Sequence, residues 1–162
     1  MLLGVVSDTH GHVPNARGAV RLLESLDVEA VLHCGDIGSE AIVPLFAAWP
    51  THFVLGNVDD GRLVSGLVAA IESSGLTCHG RFGSFELGGV RIALMHGDDG
   101  RLLDQMIKAG EHELICHGHT HVPRLERVGT TLVLNPGALY RAPKHTIAIV
   151  ELPTLRAEII TA

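Results

Sequence analysis

Positive charge is in deficit along this chain: twelve Lys and Arg face eighteen Asp and Glu, a formal net charge of -6, and nowhere do basic residues gather into a stripe. A groove that follows a nucleic-acid backbone needs such a stripe, so nucleic acid is excluded as an expected partner. Cysteine is scarce as well. Cys34, Cys78 and Cys116 are odd in number and lack CxxC spacing, which excludes a disulfide framework and a Cys-rich zinc site and suits a reducing cytoplasm. No apolar run approaches the ~20 residues of a membrane span, and Met1 to Ser7 carries neither a basic region nor a long apolar segment. The expectation is a cytoplasmic, unexported protein with no membrane partner.

Nineteen glycines and seven prolines are too few for a disordered or collagen-like chain, and 46% hydrophobic against 19% charged residues is a globular composition. At 162 residues a single domain spanning 1–162 is expected, burying roughly 68–70% of the surface its unfolded form exposes. Repeats, linkers and low-complexity tracts are absent.

Short apolar runs alternate with helical spacing through the first half. Leu2 to Ser7 ends at Asp8; a helix follows from about Asn15 to Leu26, with Ala19, Leu22, Leu23 and Leu26 on one stripe. Ala30 to His33 ends at Gly35-Asp36, Ser39 caps a helix expected to run through Ala48, and His52 to Leu55 ends at Gly56-Asn57. This order implies a parallel sheet with right-handed crossovers, whose carboxyl ends gather Asp8, Asp36 and Asn57 at one edge. After a helix over Arg62 to Ser73, Phe82 to Leu87 and Val90 to Met95 form a hairpin that delivers His96. A helix from about Arg101 to Ala109 leads to the strand Glu113 to Cys116 and the loop carrying His119 and His121. Two more hairpins, turning at Val128-Gly129-Thr130 and Pro153-Thr154, complete an α/β fold of two mixed sheets with outer helices, the loops of both sheets sharing one rim.

Asp8, His10, Asp36, Asn57, His96, His119 and His121 are therefore candidate ligands. If strand geometry persists beyond Ser7, Asp8 and His10 point the same way and grip one ion. Asp36 offers two carboxylate oxygens, enough to bridge two cations, and the mixed nitrogen and oxygen donors suit Mn, Fe, Ni or Zn better than Ca or Mg. Two dications with two carboxylates and a hydroxide leave a centre of about +1, which attracts phosphate and still supplies a nucleophile; phosphoester hydrolysis uses both properties.

Ser7-Asp8-Thr9-His10-Gly11, Gly35-Asp36, Gly56-Asn57-Val58-Asp59, His96-Gly97, Gly118-His119-Thr120-His121 and Asn135-Pro136-Gly137, in that order, resemble the calcineurin-like metallophosphoesterase superfamily, most nearly its small single-domain phosphodiesterase branch. The resemblance covers nearly the whole chain. It implies a four-layer α/β/β/α sandwich and a metal-dependent phosphodiesterase or phosphatase, in which a hydroxide bridging two divalent metals, manganese first among them, attacks a small phosphoester. It places Asp8, His10, Asp36 and His121 on one metal and Asp36, Asn57, His96 and His119 on the other. The alternative it carries is a non-catalytic scaffold, because a retromer subunit shares the fold; homo-oligomerisation is left open.

Three positions depart from the family pattern. Val58 stands where many relatives have a His that protonates the leaving group or holds the phosphate; Asp98 interrupts a common His-Gly-His; Ala138 replaces the Ser often found after Asn-Pro-Gly. All three are expected on the substrate side. His33 and His117, just before motif positions, read as structural, His12 as a solvated loop residue or one that reaches substrate or stands in for the missing acid, Cys34 and Cys116 as packing, Arg62 and Arg141 near the rim as solvated charges or a phosphate clamp, and Asp59 as either a brace or a solvated acid.

Overall fold

A computed structural model describes residues 1–162. The chain alternates strand and helix at first: β1 (Leu2–Val6), α1 (Val13–Ser25), β2 (Ala30–His33), a 3-10 helix (Glu40–Phe46), β3 (Thr51–Phe53), α2 (Gly61–Ser73) and β4 (Thr77–Cys78). Then follow β5 (Phe82–Leu87), β6 (Val90–Met95), α3 (Gly100–Ala109), β7 (Leu114–Cys116), β8 (Arg124–Val128), β9 (Thr131–Asn135), β10 (Thr146–Glu151) and β11 (Arg156–Thr161). One sheet has the order β11-β10-β1-β2-β3-β4, the other β5-β6-β7-β9-β8.

Strand periodicity builds the layers. Leu3 and Val5 of β1, Leu32 of β2, Ile92 and Leu94 of β6 and Leu132 and Leu134 of β9 face inward and meet in one buried cluster between the sheets. The opposite face of the first sheet, with Val6, Val31 and Phe53, packs on Ala16, Ala19 and Leu23 of α1 and on Leu67 and Ile71 of α2. Ala93 and Met95 of β6 and Ile115 of β7 do the same with Leu103 of α3. The result is the four-layer α/β/β/α sandwich with two mixed sheets and outer helices.

The segment after Ser39 is shorter and tighter than its periodicity predicts. Ser39 caps it through Ala41 N–H, but the second α-type bond, to Glu40 O, would need an N–H on Pro44, which has none. The turns instead close through Ile42 N–H to Ser39 O and Ala47 N–H to Pro44 O, and the helix stops at Phe46. The two-residue β4 pairs parallel to β3; it is too short to show a period.

The second sheet is not simply a stack of hairpins. Its centre is parallel, β6 with β7 and β7 with β9, with antiparallel β5 and β8 at the edges. Each sheet thus sends three parallel strand ends to the same rim. From β1, β2 and β3 come the loops of Asp8, Asp36 and Asn57; from β6, β7 and β9 come those of His96, His119 with His121, and Asn135-Pro136-Gly137.

Candidate metal centre

The seven candidate ligands meet on this rim, though by a route that strand geometry does not supply. β1 ends at Val6, and Asp8 and His10 lie at φ 55° and 45°, in the left-handed region; so do Asp36, His119 and His121. Each such non-glycine residue costs about 1 kcal/mol. The shared direction of Asp8 and His10 therefore comes from two left-handed residues held by cross-loop bonds, not from a continuing strand. Those bonds include Asp8 N–H to Gly35 O and His10 N–H to Asp36 O.

Two groups of donors stand side by side. In the first, His10 Nε2 is 3.2 Å from His121 Nε2, and His121 Nε2 is 3.1 Å from Asp8 Oδ1. In the second, His96 Nε2 is 3.3 Å from Asp36 Oδ1 and 3.1 Å from Asn57 Oδ1, which in turn lies 3.0 Å from His119 Nδ1. Asp36 reaches both, because its other oxygen, Oδ2, is 3.7 Å from His10 Nε2. The ligand atoms of Asp8, His10 and His121, and those of Asp8, Asp36 and His96, each fall within 4.8 Å of one another. Asp8 thus also approaches both groups.

Burial grades across the centre. Asp8, Asp36 and His96 are buried, His10 and His121 half-buried, Asn57 and His119 exposed. Burial depresses the pKa of His10 despite the nearby Asp36 and Asp8 carboxylates, and the charges of His121 and Arg141 add to that depression. At His96 burial also pulls downward, but the hydrogen bond and charge of Asp36 outweigh it and raise the pKa. Asp36 responds in the opposite sense: burial alone would raise it, yet His96 and the Val58 N–H hold it below its ordinary value.

The surroundings aim these donors. Ser7 Oγ donates to Asp8 Oδ2 at 2.6 Å, and His119 N–H donates to the same oxygen at 3.1 Å, while buried Asp8 Oδ1 has no hydrogen-bond partner. An orphaned buried carboxylate oxygen beside two imidazole nitrogens that face each other fits a cation, which would satisfy all three. His96 Nδ1 lies 2.8 Å from Cys34 O and His121 Nδ1 3.1 Å from Arg141 O. Each ring can donate there and leave Nε2 free as a lone-pair donor.

Glycine permits the close approach of these loops at two places. A Cβ on Gly56 would strike the Asp36 carboxylate and backbone N, and one on Gly118 would strike Ser7 Oγ and Asp8 Oδ2.

The structure adds residues that sequence reasoning left out or undecided. Asp59 is fully buried and accepts from Ile37 N–H, Gly38 N–H and Gly56 N–H, so it is a brace between two ligand loops. Asn135 donates to Gly118 O and Thr120 Oγ1 and accepts from Gly137 N–H, clamping the loop of His119 and His121. His12 is not a free loop residue: its Nδ1 accepts from Asn15 N–H at the start of α1, and its ring stacks on Tyr140 at 4.6 Å. Asp59 and Asn135 carry a signal, each lying within a motif stretch, Gly56-Asn57-Val58-Asp59 and Asn135-Pro136-Gly137; the bonds of Asp59 to Ile37 and Gly38, far away in sequence, leave none.

The departures also resolve. Asp98 Oδ2 is 4.0 Å from Arg81 Nη1, so a cation faces it. Ala138 is fully buried and does not border substrate, contrary to expectation. Cys34 and Cys116 are buried in the layer between the sheets, consistent with packing.

A model of the calcineurin-like phosphoesterase superfamily domain matches residues 1–154. The chain belongs to that superfamily. The chain is 32% identical over 140 residues to phosphodiesterase MJ0936 of Methanocaldococcus jannaschii, the match covering 85% of this chain and 83% of the relative. Its fold superposes on a solved archaeal phosphodiesterase with a TM-score of 0.87 at 31% identity, over 100% of both chains. It also superposes on vacuolar protein sorting 29 from Cryptosporidium parvum with a TM-score of 0.69 at 21% identity, covering 99% and 96% of the two chains; at that identity the likeness is one of fold. Membership implies divalent metal ions and a hydrolase of phosphoesters. No helix of this phosphoesterase is long and apolar enough to cross a membrane.

Proposed function

We propose that the protein hydrolyses a small phosphoester with two divalent metal ions, manganese first and nickel, iron or zinc also compatible. The observation that supports this most directly is Asp36, one oxygen of which faces His10 and the other His96, as a carboxylate shared by two ions would. Asp8, His10, Asp36 and His121 would hold one ion; Asp36, Asn57, His96 and His119 the other. When bound, such a pair acidifies water to give the nucleophile and stabilises charge on the phosphoryl oxygens.

The chain's own residues prepare that chemistry. Ser7 and the His119 N–H occupy Asp8 Oδ2 and leave Oδ1 as its free donor. Carbonyls of Cys34 and Arg141 set the rings of His96 and His121. The Val58 N–H steadies Asp36 Oδ1 at 3.0 Å, whichever side chain residue 58 bears. The Val58 side chain supplies no proton, so expulsion of a basic alkoxide goes unassisted from that position.

A non-catalytic scaffold is not favoured, since the donor set is complete and likeness to vacuolar protein sorting 29 is of fold alone. The decisive experiment strips the protein of metal and refills it separately with Mn, Ni, Zn and Mg. Asp36→Ala is expected to lower uptake by at least one ion per chain, by elemental analysis, and to abolish hydrolysis of a nitrophenyl phosphodiester. Wild-type activity in Asp36→Ala would defeat the bridging role, and absent uptake in the wild type would return the scaffold.

A further inference from the structure

On the phosphoester-hydrolase reading, seven donors account for the ions, but none of them orients the anion that must meet those ions. Two arginines flank the centre, and only one is committed. Arg81 Nη1 donates to Gly56 O at 2.8 Å and faces Asp98. Arg141 forms no ion pair and no side-chain hydrogen bond, and its guanidinium carbon lies 5.8 Å from the centroid of the Tyr140 ring.

The backbone of Arg141 is nevertheless fixed. Its carbonyl is 3.1 Å from His121 Nδ1, which ties the residue to the His10–His121 end of the centre, and it adopts φ 55°. Tyr140 beneath it is half-buried and stacked on His12 with only 12° between the rings; His12 is held in turn by Asn15 at the start of α1. Guanidinium, phenol ring and imidazole form one anchored wall. A guanidinium packed on an aromatic ring loses little water by doing so and keeps its N–H fork for an oxyanion, the geometry in which arginine binds phosphate bidentately.

The charge distribution gives the wall a direction. Beyond His96 and Gly97, at the other end of the centre, stand exposed Asp98 and Asp99, and Arg81 faces only Asp98, so that end stays negative. An anion is repelled there and drawn to the Arg141 end, where no carboxylate competes for the guanidinium.

We propose that Arg141 is a substrate-binding residue of this site, its guanidinium holding a non-bridging phosphoryl oxygen, with Tyr140 and His12 as the residues that position it. The sequence alone leaves Arg141 open between a solvated charge and a phosphate clamp.

The test uses manganese-loaded wild type, Arg141→Met, Arg141→Lys and Tyr140→Leu, with ion content read by elemental analysis. Each is titrated with inorganic phosphate by calorimetry, and KM and kcat are measured on a nitrophenyl phosphodiester. Arg141→Met is expected to keep the wild-type ion content, lose about 10- to 100-fold in phosphate affinity, and raise KM by a similar factor with kcat within about threefold. Arg141→Lys should recover part of the affinity, and Tyr140→Leu should fall between wild type and Arg141→Met. Unchanged phosphate affinity in ion-replete Arg141→Met overturns the proposal, as does loss of ions in that variant, which would make Arg141 a support for His121 only. A wild type that takes up ions and binds phosphate but hydrolyses no ester defeats the phosphoesterase reading, while the calorimetric comparison still decides the role of Arg141.

Discussion

Val58 contributes to the centre through its backbone and withholds through its side chain. Its N–H bonds Asp36 Oδ1, while its half-buried isopropyl group has nothing to offer a departing oxygen. The expected consequence is selectivity by leaving group: an alkoxide, being strongly basic, needs a proton far more than a nitrophenolate does. Val58→His should therefore raise kcat on an alkyl phosphodiester by about 10- to 100-fold, toward the usual worth of general acid catalysis, and change kcat on a nitrophenyl diester little. Steady-state rates on the two substrates check this, and an equal response on both would sink it. At this scale the sequence was unusually legible, because each ligand-type side chain follows a short apolar run and so declares both its chemistry and its place at a strand end. What could not be read was how the backbone presents them. Left-handed conformations at Asp8, His10, Asp36, His119 and His121 depend on bonds to loops distant in sequence, and nothing local foretells them.

Between elements, the centre depends on keeping the loops after β2 and β3 in register, and Asp59 carries much of that task. Its two oxygens accept three backbone N–H groups, two from the Asp36 loop and one from its own, those of Ile37 and Gly56 buried. Asp59→Ala would strand two buried donors and a half-buried one and is expected to cost about 2–4 kcal/mol, whereas a surface Asp59 would cost almost nothing. Urea unfolding of metal-free protein measures this; a loss below about 1 kcal/mol would deny the brace. Ion uptake should fall as well, since Gly56 and Asp36 are packed too closely for one loop to drift without the other. Element boundaries were legible where period and punctuation agreed, as at the hairpin turning on Gly88-Gly89. They failed where a partner decides the structure. The parallel pairing of β7 with β9 skips the strand between them in sequence, and the tightening of the 3-10 helix comes from one missing N–H at Pro44.

Across the whole molecule, the same architecture that gathers seven donors at the rim also buries uncharged imidazoles behind it. His33 is fully buried, its ring stacked on Phe53 at 5.3 Å and its Nε2 3.1 Å from Thr9 Oγ1. Burial, reinforced by the charge of His96, pushes its pKa down to about 3. Burial likewise pushes His117 down to about 4, and its Nε2 has no partner to stabilise a proton. In the unfolded chain both titrate near 6.5. Above that pH neither state binds a proton at these positions and they exert no pH dependence. Below it the unfolded chain takes up protons that the native state refuses, so stability falls as the solution is acidified. The decline continues to about pH 4 for His117 and about pH 3 for His33, where the folded protein begins to protonate as well. Each contributes a slope approaching about 1.4 kcal/mol per pH unit, or roughly 2.7 for the two together. The raised pKa of His96 works in the opposite direction and the lowered pKa of Asp36 in the same one, which makes a comparison with a variant more telling than the absolute slope. Urea unfolding of metal-free protein between pH 6.5 and 4.5 is expected to lose stability steeply in the wild type and by about 1 kcal/mol less per pH unit, averaged over that window, in His117→Leu. Parallel pH profiles for the two proteins would mean that His117 does not remain neutral inside the folded chain.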